Sequence, residues 1–274
     1  FSSSDHPCPD DASLDQHIPG AIQIHPSYLE AGLEISRYYP HYLSPVDGNV
    51  LPPDTQGPAL EVLGISQERE VWVYGAEPAG VMAAARLIWG LLYAGIKRVR
   101  LLDGGLKAWL AAGGETVPSA PNATELAQGS SDRRGAKASW PVKSELLAST
   151  SEVKAIAKGE KGVLGRVVDV RRPGEYNGTE TKYYPFFSKA GHIPGAILQG
   201  NWINLVDEES QKNEPVLEDV RERGMALGIS NEGVECGEVP LIFYCGTGWR
   251  SSLSFLLAIL LGYRAKNFDD GFYG

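Results

Sequence analysis

The sequence predicts an α/β protein built from two similar domains, each a parallel sheet with helices on both faces. Three observations point there. Short landmarks recur in the same order roughly 170 residues apart, short apolar runs alternate with longer helical ones, and one stretch rich in Gly, Ser, Pro, Asn and Ala divides the chain. Buried strands that alternate with helices imply parallel pairing, because each crossover needs a connecting helix and those helices then cover the sheet.

The repeat is read from four landmarks. His17-Ile18-Pro19-Gly20-Ala21 returns as His192-Ile193-Pro194-Gly195-Ala196 at an offset of 175, and Leu63-Gly64-Ile65-Ser66 returns as Leu227-Gly228-Ile229-Ser230 at 164. Val71-Trp72-Val73-Tyr74 matches Leu241-Ile242-Phe243-Tyr244 at 170, and Leu102-Asp103-Gly104-Gly105 resembles Phe268-Asp269-Asp270-Gly271 at 166. Nearly constant spacing marks a duplication. The expected domains are 1–112 and 141–274. The segment 113–140, including Ser130-Ser131-Asp132-Arg133-Arg134-Gly135, is a linker whose composition buries little surface.

In the first domain Val71–Tyr74 reads as a strand, Ala79–Tyr93 as an alanine-rich helix stopped by Gly95, Val99–Leu102 as a strand and Leu106–Ala111 as a short helix. In the second, helices are expected over Glu145–Lys158, Leu217–Ala226 and Ser251–Leu261, and strands over Val163–Val170, Leu241–Tyr244 and Ala265–Phe268. The offset of 175 maps Phe1 onto Tyr176, after a strand and its helix, and the offset of 166 maps Gly274 onto Ala108, inside a helix. On this mapping the first domain lacks its N-terminal part and the second its final helix, so the natural polypeptide is expected to extend beyond both ends.

Composition narrows the classes of function. With 274 residues, 43% hydrophobic and 22% charged, the chain has the make-up of a soluble globular protein, large enough for two cores. No apolar run reaches the ~20 residues that span a membrane. A net charge of −9 argues against nucleic acid or an anionic membrane as partner, so a substrate anion has to be captured locally. Cys8, Cys236 and Cys245 are odd in number and widely spaced, which suggests neither a disulfide framework nor a zinc site. A free working thiol fits a reducing, cytoplasmic compartment. The chain starts at Phe1 without an initiator Met, which leaves a periplasmic or organellar location open.

The chemistry-bearing stretch is Leu241-Ile242-Phe243-Tyr244-Cys245-Gly246-Thr247-Gly248-Trp249-Arg250-Ser251-Ser252. It places a cysteine where a strand ends and a helix begins. Gly246 and Gly248 let the backbone curl, so that successive N–H groups can face the sulfur as an anion-binding nest, and the helix N-terminus adds partial positive charge. Both effects favour thiolate over thiol. Cys245 is therefore a candidate nucleophile, with Gly246, Thr247, Gly248, Trp249 and Arg250 around the anion. Thr247 can donate its hydroxyl there or bond the local backbone, Trp249 can act as a lid or as packing, and Arg250 implies a carboxylate partner or a substrate anion.

Together, this loop, the Asp169-Val170-Arg171 strand end, the Gly191–Ala196 turn and the Asp-Gly pattern near 269 resemble the rhodanese family of sulfurtransferases. The duplication resembles tandem-domain rhodaneses with an inactive N-terminal and a catalytic C-terminal domain, and Cys-Gly-Thr-Gly-Trp-Arg resembles the loop of a multi-domain thiosulfate sulfurtransferase subgroup. The resemblance implies a Cys245 persulfide, formed from a small anionic donor, thiosulfate or 3-mercaptopyruvate, and passed to a thiophilic acceptor such as cyanide, a thiol or a thiol protein. It implies no metal or organic cofactor. Rhodanese-like phosphatases and arsenate reductases carry a C-x₅-R loop, whereas this chain has C-x₄-R, which favours sulfur transfer. A non-enzymatic rhodanese-like module, binding a protein partner and sensing redox or persulfide state, is the alternative.

Aligning Tyr74 with Tyr244 puts Gly75 in the place of Cys245 and Gly80 in that of Arg250, with Ala76, Glu77, Pro78 and Ala79 between. That copy has no nucleophile, and Glu77 would repel an anion, so its expected task is to wall the cleft of the other. Asp169 and Arg171 are expected to hold neighbouring loops together, and His192 and His17 to be structural because both copies carry one. In many tandem rhodaneses an arginine four positions after that of the Asp-x-Arg motif holds the donor. Glu175 stands there in this chain, and Arg172 or Lys182 are the substitutes to consider.

Overall fold

A computed structural model describes residues 16–30, 49–75, 80–123, 126, 140, 142–180, 190–200 and 239–273. The expected helix Leu217–Ala226, the residues Ala76–Ala79, Cys8, Cys236, Lys182 and much of the segment 113–140 lie outside them.

In the first copy, helix α1 (Pro53–Val62) precedes strand β1 (Glu70–Val73), helix α2 (Gly80–Tyr93), strand β2 (Arg98–Leu101) and helix α3 (Gly105–Ala111). In the second, helix α4 (Thr150–Ala157) is followed by β3 (Arg166–Asp169), α5 (Pro173–Asn177), β4 (Ile197–Leu198), β5 (Leu241–Tyr244), α6 (Trp249–Leu260) and β6 (Ala265–Asn267). All described pairing within sheets is parallel. β1 lies beside β2, and the second sheet runs β4-β3-β5-β6. The α/β architecture with parallel sheets is as the alternation of strands and helices predicts.

The two copies meet through their equivalent helices. Leu87, Ile88 and Leu91 of α2 share one buried cluster with Leu253, Leu256 and Leu257 of α6. Burying such a side chain contributes about 1.5–3 kcal/mol each, so this seam couples the copies. Residues 117–123 also stay with the first copy: His17 and Val117 exchange backbone bonds, and Gln23 bonds Pro121 and Ala123. Trp140 is buried over Gly57 and donates from Nε1 to Glu61 at 3.0 Å.

Several element ends differ from the sequence reading. The helix expected over Glu145–Lys158 is broken into a 3-10 turn, Ser144–Leu146, and α4. Between them Leu147 bridges Asn267, and Ser149 caps α4 by accepting from the Glu152 N–H at 3.1 Å. The strand expected over Val163–Val170 is confined to Arg166–Asp169. Gly162 is left-handed at φ 86°, and a Cβ on Gly165 would stand 2.6 Å from Ile156 Cδ1, so the chain turns tightly before the strand begins. Helix α6 starts at Trp249, two residues early, because Gly248 at φ 77° already makes the turn into it.

The equivalent strands β1 and β5 differ in burial. β5 is buried at all four positions, whereas β1 leaves Glu70 and Trp72 exposed. Where β3 separates β4 from β5, the described residues of the first copy leave a cavity of about 600 Å³ between residues 16–24 and β1, floored by Ala84, Leu87 and Leu91.

Candidate active site

β5 delivers Cys245 to the centre of the second copy, wholly buried, with Val168, Val170, Phe243 and Phe255 in its cluster. The loop after it is held from outside by its carbonyls. The Cys245 carbonyl accepts from Phe272 N at 2.8 Å and that of Gly246 from Tyr273 N at 3.4 Å. The Gly248 carbonyl accepts from Ser252 Oγ at 2.8 Å, Asn267 Nδ2 at 3.0 Å and Arg86 Nη1 at 3.5 Å. In a trans peptide the C=O and the next N–H point in opposite directions. Pinning these three carbonyls outward therefore turns the N–H groups of Gly246, Thr247 and Trp249 to the inner side of the loop. Among the described residues, no protein acceptor takes the N–H groups of Gly246, Thr247, Gly248 or Trp249. Such a set of unspent donors is what an anion on the sulfur requires.

Close packing fixes the curve. A Cβ on Gly248 would lie 2.5 Å from Asp269 Oδ1, and one on Gly271 would lie 2.2 Å from the Gly246 carbonyl oxygen. Only glycine allows either approach. Ser251 Oγ stands 3.8 Å from Cys245 Sγ and 2.6 Å from Asn267 Oδ1. One hydroxyl proton cannot serve both, and the shorter contact holds it. Thr247 and Trp249 are half-buried at the loop's edge, where the Trp249 ring lies 5.8 Å from His25.

Arg250 is met by the residue that the sequence reading singled out as a departure. Its Nη1 and Nη2 donate to the two carboxylate oxygens of Glu175, both at 2.8 Å, with the pair largely out of water. Burial alone would raise the Glu175 pKa. The bonds and charge of Arg250, with the Arg172 N–H at 3.1 Å, outweigh it and hold the carboxyl below its usual range. The guanidinium thus spends this fork on a protein carboxylate while staying beside the loop.

Asp169 ends β3, and Arg171 follows it just beyond the strand. Arg171 Nε and Nη2 bond Asp169 at 2.9 and 2.7 Å, and Nη2 also reaches the Gly191 carbonyl at 2.7 Å. Its guanidinium lies 4.2 Å from the Phe272 ring centre, and Asp169 accepts from Tyr244 Oη at 2.5 Å. These groups knit β3, β5, the 191 turn and the 272 segment together beneath the loop. Burial and the neighbouring Asp169 charge keep the Tyr244 phenol far above its ordinary pKa, so it stays a donor. His192 stacks on Tyr176 at 3.7 Å and bonds its carbonyl, remote from the sulfur's contacts. Tyr74 repeats the role of Tyr244 in the first copy, accepting from Ile18 N at 3.2 Å as Tyr244 accepts from Ile193 N.

Sequence reasoning missed the groups that reach across from the first copy. Arg86, buried in α2, donates to Glu30 at 2.8 Å and to Asp269 at 2.5 Å. Asp269 also accepts from Val50 N at 2.7 Å, and Asn49 reaches Asp270 at 2.6 Å. The available signal was a lone arginine inside the apolar run Met82–Leu92. In the first copy itself, a Cβ at Gly75 would sit 2.2 Å from the Gly80 carbonyl and one at Gly105 2.5 Å from Gly75 O. The position equivalent to Cys245 has no room for a side chain.

Comparison with known proteins agrees with this architecture. The rhodanese-like domain model matches residues 9–112 and 149–274. The chain is 30% identical over 261 residues to the sulfur carrier protein TtuD of Thermus thermophilus, covering 92% of this chain and 80% of that one. It is 30% identical over 215 residues to the thiosulfate sulfurtransferase YnjE of Escherichia coli strain K12, covering 77% of this chain and 45% of that one. Among solved structures, a persulfide form of EanB with ergothioneine superposes with a TM-score of 0.73 at 27% identity, over 96% of this chain and 59% of that one. The chain thus spans less than two thirds of YnjE and of EanB. With one model matched twice along its length, over most of its residues, the chain belongs to the rhodanese-like domain family.

Proposed function

We propose that the protein is a sulfurtransferase in which Cys245 carries the sulfur. The observation that carries this reading is the loop itself: a cysteine at its base, carbonyls tied outward and inner-side N–H groups that no acceptor among the described residues takes. The Cys245 thiolate attacks the outer sulfur of thiosulfate, an S–S bond forms, and sulfite leaves with the electron pair of the broken bond. A thiophilic acceptor then attacks the outer sulfur, and the electron pair of that S–S bond returns to Cys245. The inward N–H groups of Gly246, Thr247 and Trp249 stabilise the negative charge of the persulfide. The names borne by YnjE, a thiosulfate sulfurtransferase, and TtuD, a sulfur carrier protein, support this class of reaction.

The Glu175–Arg250 pair leaves less positive charge for a dianion than an unpaired arginine would, so 3-mercaptopyruvate stays beside thiosulfate as donor. Asp169 and Arg171 act by holding the loops, and residues 1–112 and 141–274 divide the work as wall and catalyst. Steady-state turnover with cyanide as acceptor and each donor in turn tests the reading. Thiocyanate formation from at least one donor is expected, and none from either would overturn it.

A further inference from the structure

Resting on the sulfurtransferase reading, we infer that Arg86, supplied by the copy without a nucleophile, is a positioning residue for the Cys245 loop. Its side chain is 2% exposed and enters the second copy from the middle of α2. The guanidinium meets partners from both copies. Nε binds Glu30 of its own copy at 2.8 Å, and Nη1 binds Asp269 at 2.5 Å and approaches the Gly248 carbonyl at 3.5 Å. Its guanidinium carbon lies 4.8 Å from the centre of the Trp89 ring and 6.0 Å from that of Trp249, so one ring of α2 and one at the start of α6 flank it.

The geometry gives this contact leverage over the sulfur. Asp269 stands so close to Gly248 that a single added carbon would collide with it, and the Gly248 carbonyl shares a peptide plane with the Trp249 N–H. Where Arg86 holds Asp269, Gly248 follows, and the direction of an inward N–H follows Gly248. The other Asp269 oxygen is held by Val50 N, so both anchors of that carboxylate come from the first copy. Arg86 thereby converts packing between the copies into orientation of the loop. That explains, in physical terms, why a domain whose Gly75 site admits no side chain is joined to the catalytic one.

The test compares wild-type protein with Arg86→Lys and Arg86→Gln, measuring thermal unfolding, kcat and KM for thiosulfate, and the rate of sulfur addition to Cys245 by intact mass. Misaligned donors cost the transition state more than the ground state, so kcat is expected to fall about tenfold or more in Arg86→Lys with KM within about twofold. Arg86→Gln is expected to fall further, because it keeps hydrogen bonding but removes the charge between two buried carboxylates. If Arg86→Gln does not fold, Arg86→Lys decides alone. A folded Arg86→Lys protein with wild-type kcat overturns the assignment, as does a loss confined to KM. A wild-type protein that accepts no sulfur from either donor overturns the transferase reading first, and this assignment with it.

Discussion

Replacing Glu175 by glutamine isolates the pair beside the loop. The carboxylate accepts two bonds from Arg250 at 2.8 Å and one from Arg172 N at 3.1 Å, with its side chain 1% exposed and that of Arg250 10%. Glutamine keeps one oxygen and turns an N–H₂ group toward a guanidinium that has only donors. One charge-assisted bond is lost outright and the other weakened, each worth about 1.5–3 kcal/mol. The sum, about 3 kcal/mol, falls at the lower edge of the roughly 3–5 kcal/mol typical for breaking a buried ion pair. Urea unfolding at pH 7 measures it.

The pH dependence adds a sign. The Glu175 pKa is depressed in the folded state, so its contribution is present above the ordinary carboxylate pKa of 4.5 and is lost as pH falls through the lower folded value. The gap between Glu175→Gln and wild type should therefore shrink below pH 4.5. The variant should also lower KM for thiosulfate, because Arg250 loses its neutralising partner. A variant within about 0.5 kcal/mol of wild type at pH 7, the range of an ordinary surface change, would refute the reasoning.

Gly248→Ala should cost at least about 1 kcal/mol from its left-handed backbone alone, and more from the clash with Asp269, with sulfur uptake lost even where the fold survives. Unfolding curves and mass spectrometry on one preparation check both. Glu30 behaves oppositely to Glu175: burial raises its pKa from 4.5 to about 6 against the pull of Arg86, so the folded state loses stability as pH rises between those values. At about 1.36 kcal/mol per pKa unit this is about 2 kcal/mol, and Glu30→Gln should be relatively more stable at pH 7.5 than at about pH 3.5 by that amount. A pH-independent difference between the two proteins would contradict the assignment.

What was legible in the sequence was what local pattern and repetition encode. β5 is legible to the residue because four apolar side chains lie between Pro240 and Cys245, and Gly246 and Gly248 announce the curl of the loop. The start of α6 is not legible in line, because Trp249 and Arg250 look like loop residues until Gly248 is seen to make the turn. Long-range pairing was not legible. Arg86 and Asp269 are 183 residues apart, and nothing in either neighbourhood names the other. Glu175 shows the same limit from the other side. Read in line it is a missing arginine, and in space it is the carboxylate that seats Arg250. The hydroxyls of Tyr74 and Tyr244 were visible as a repeat, but their common hold on the His-Ile-Pro-Gly turns appears only once the strands are side by side.

The most direct measurement of the central claim is the mass of the protein after exposure to each donor followed by removal of excess reagent. One added sulfur atom, located on the peptide that contains Cys245 and lost on addition of cyanide, is the predicted result, and Cys245→Ser should take up none. Sulfur on Cys8 or Cys236 instead, or uptake that survives in Cys245→Ser, would contradict it.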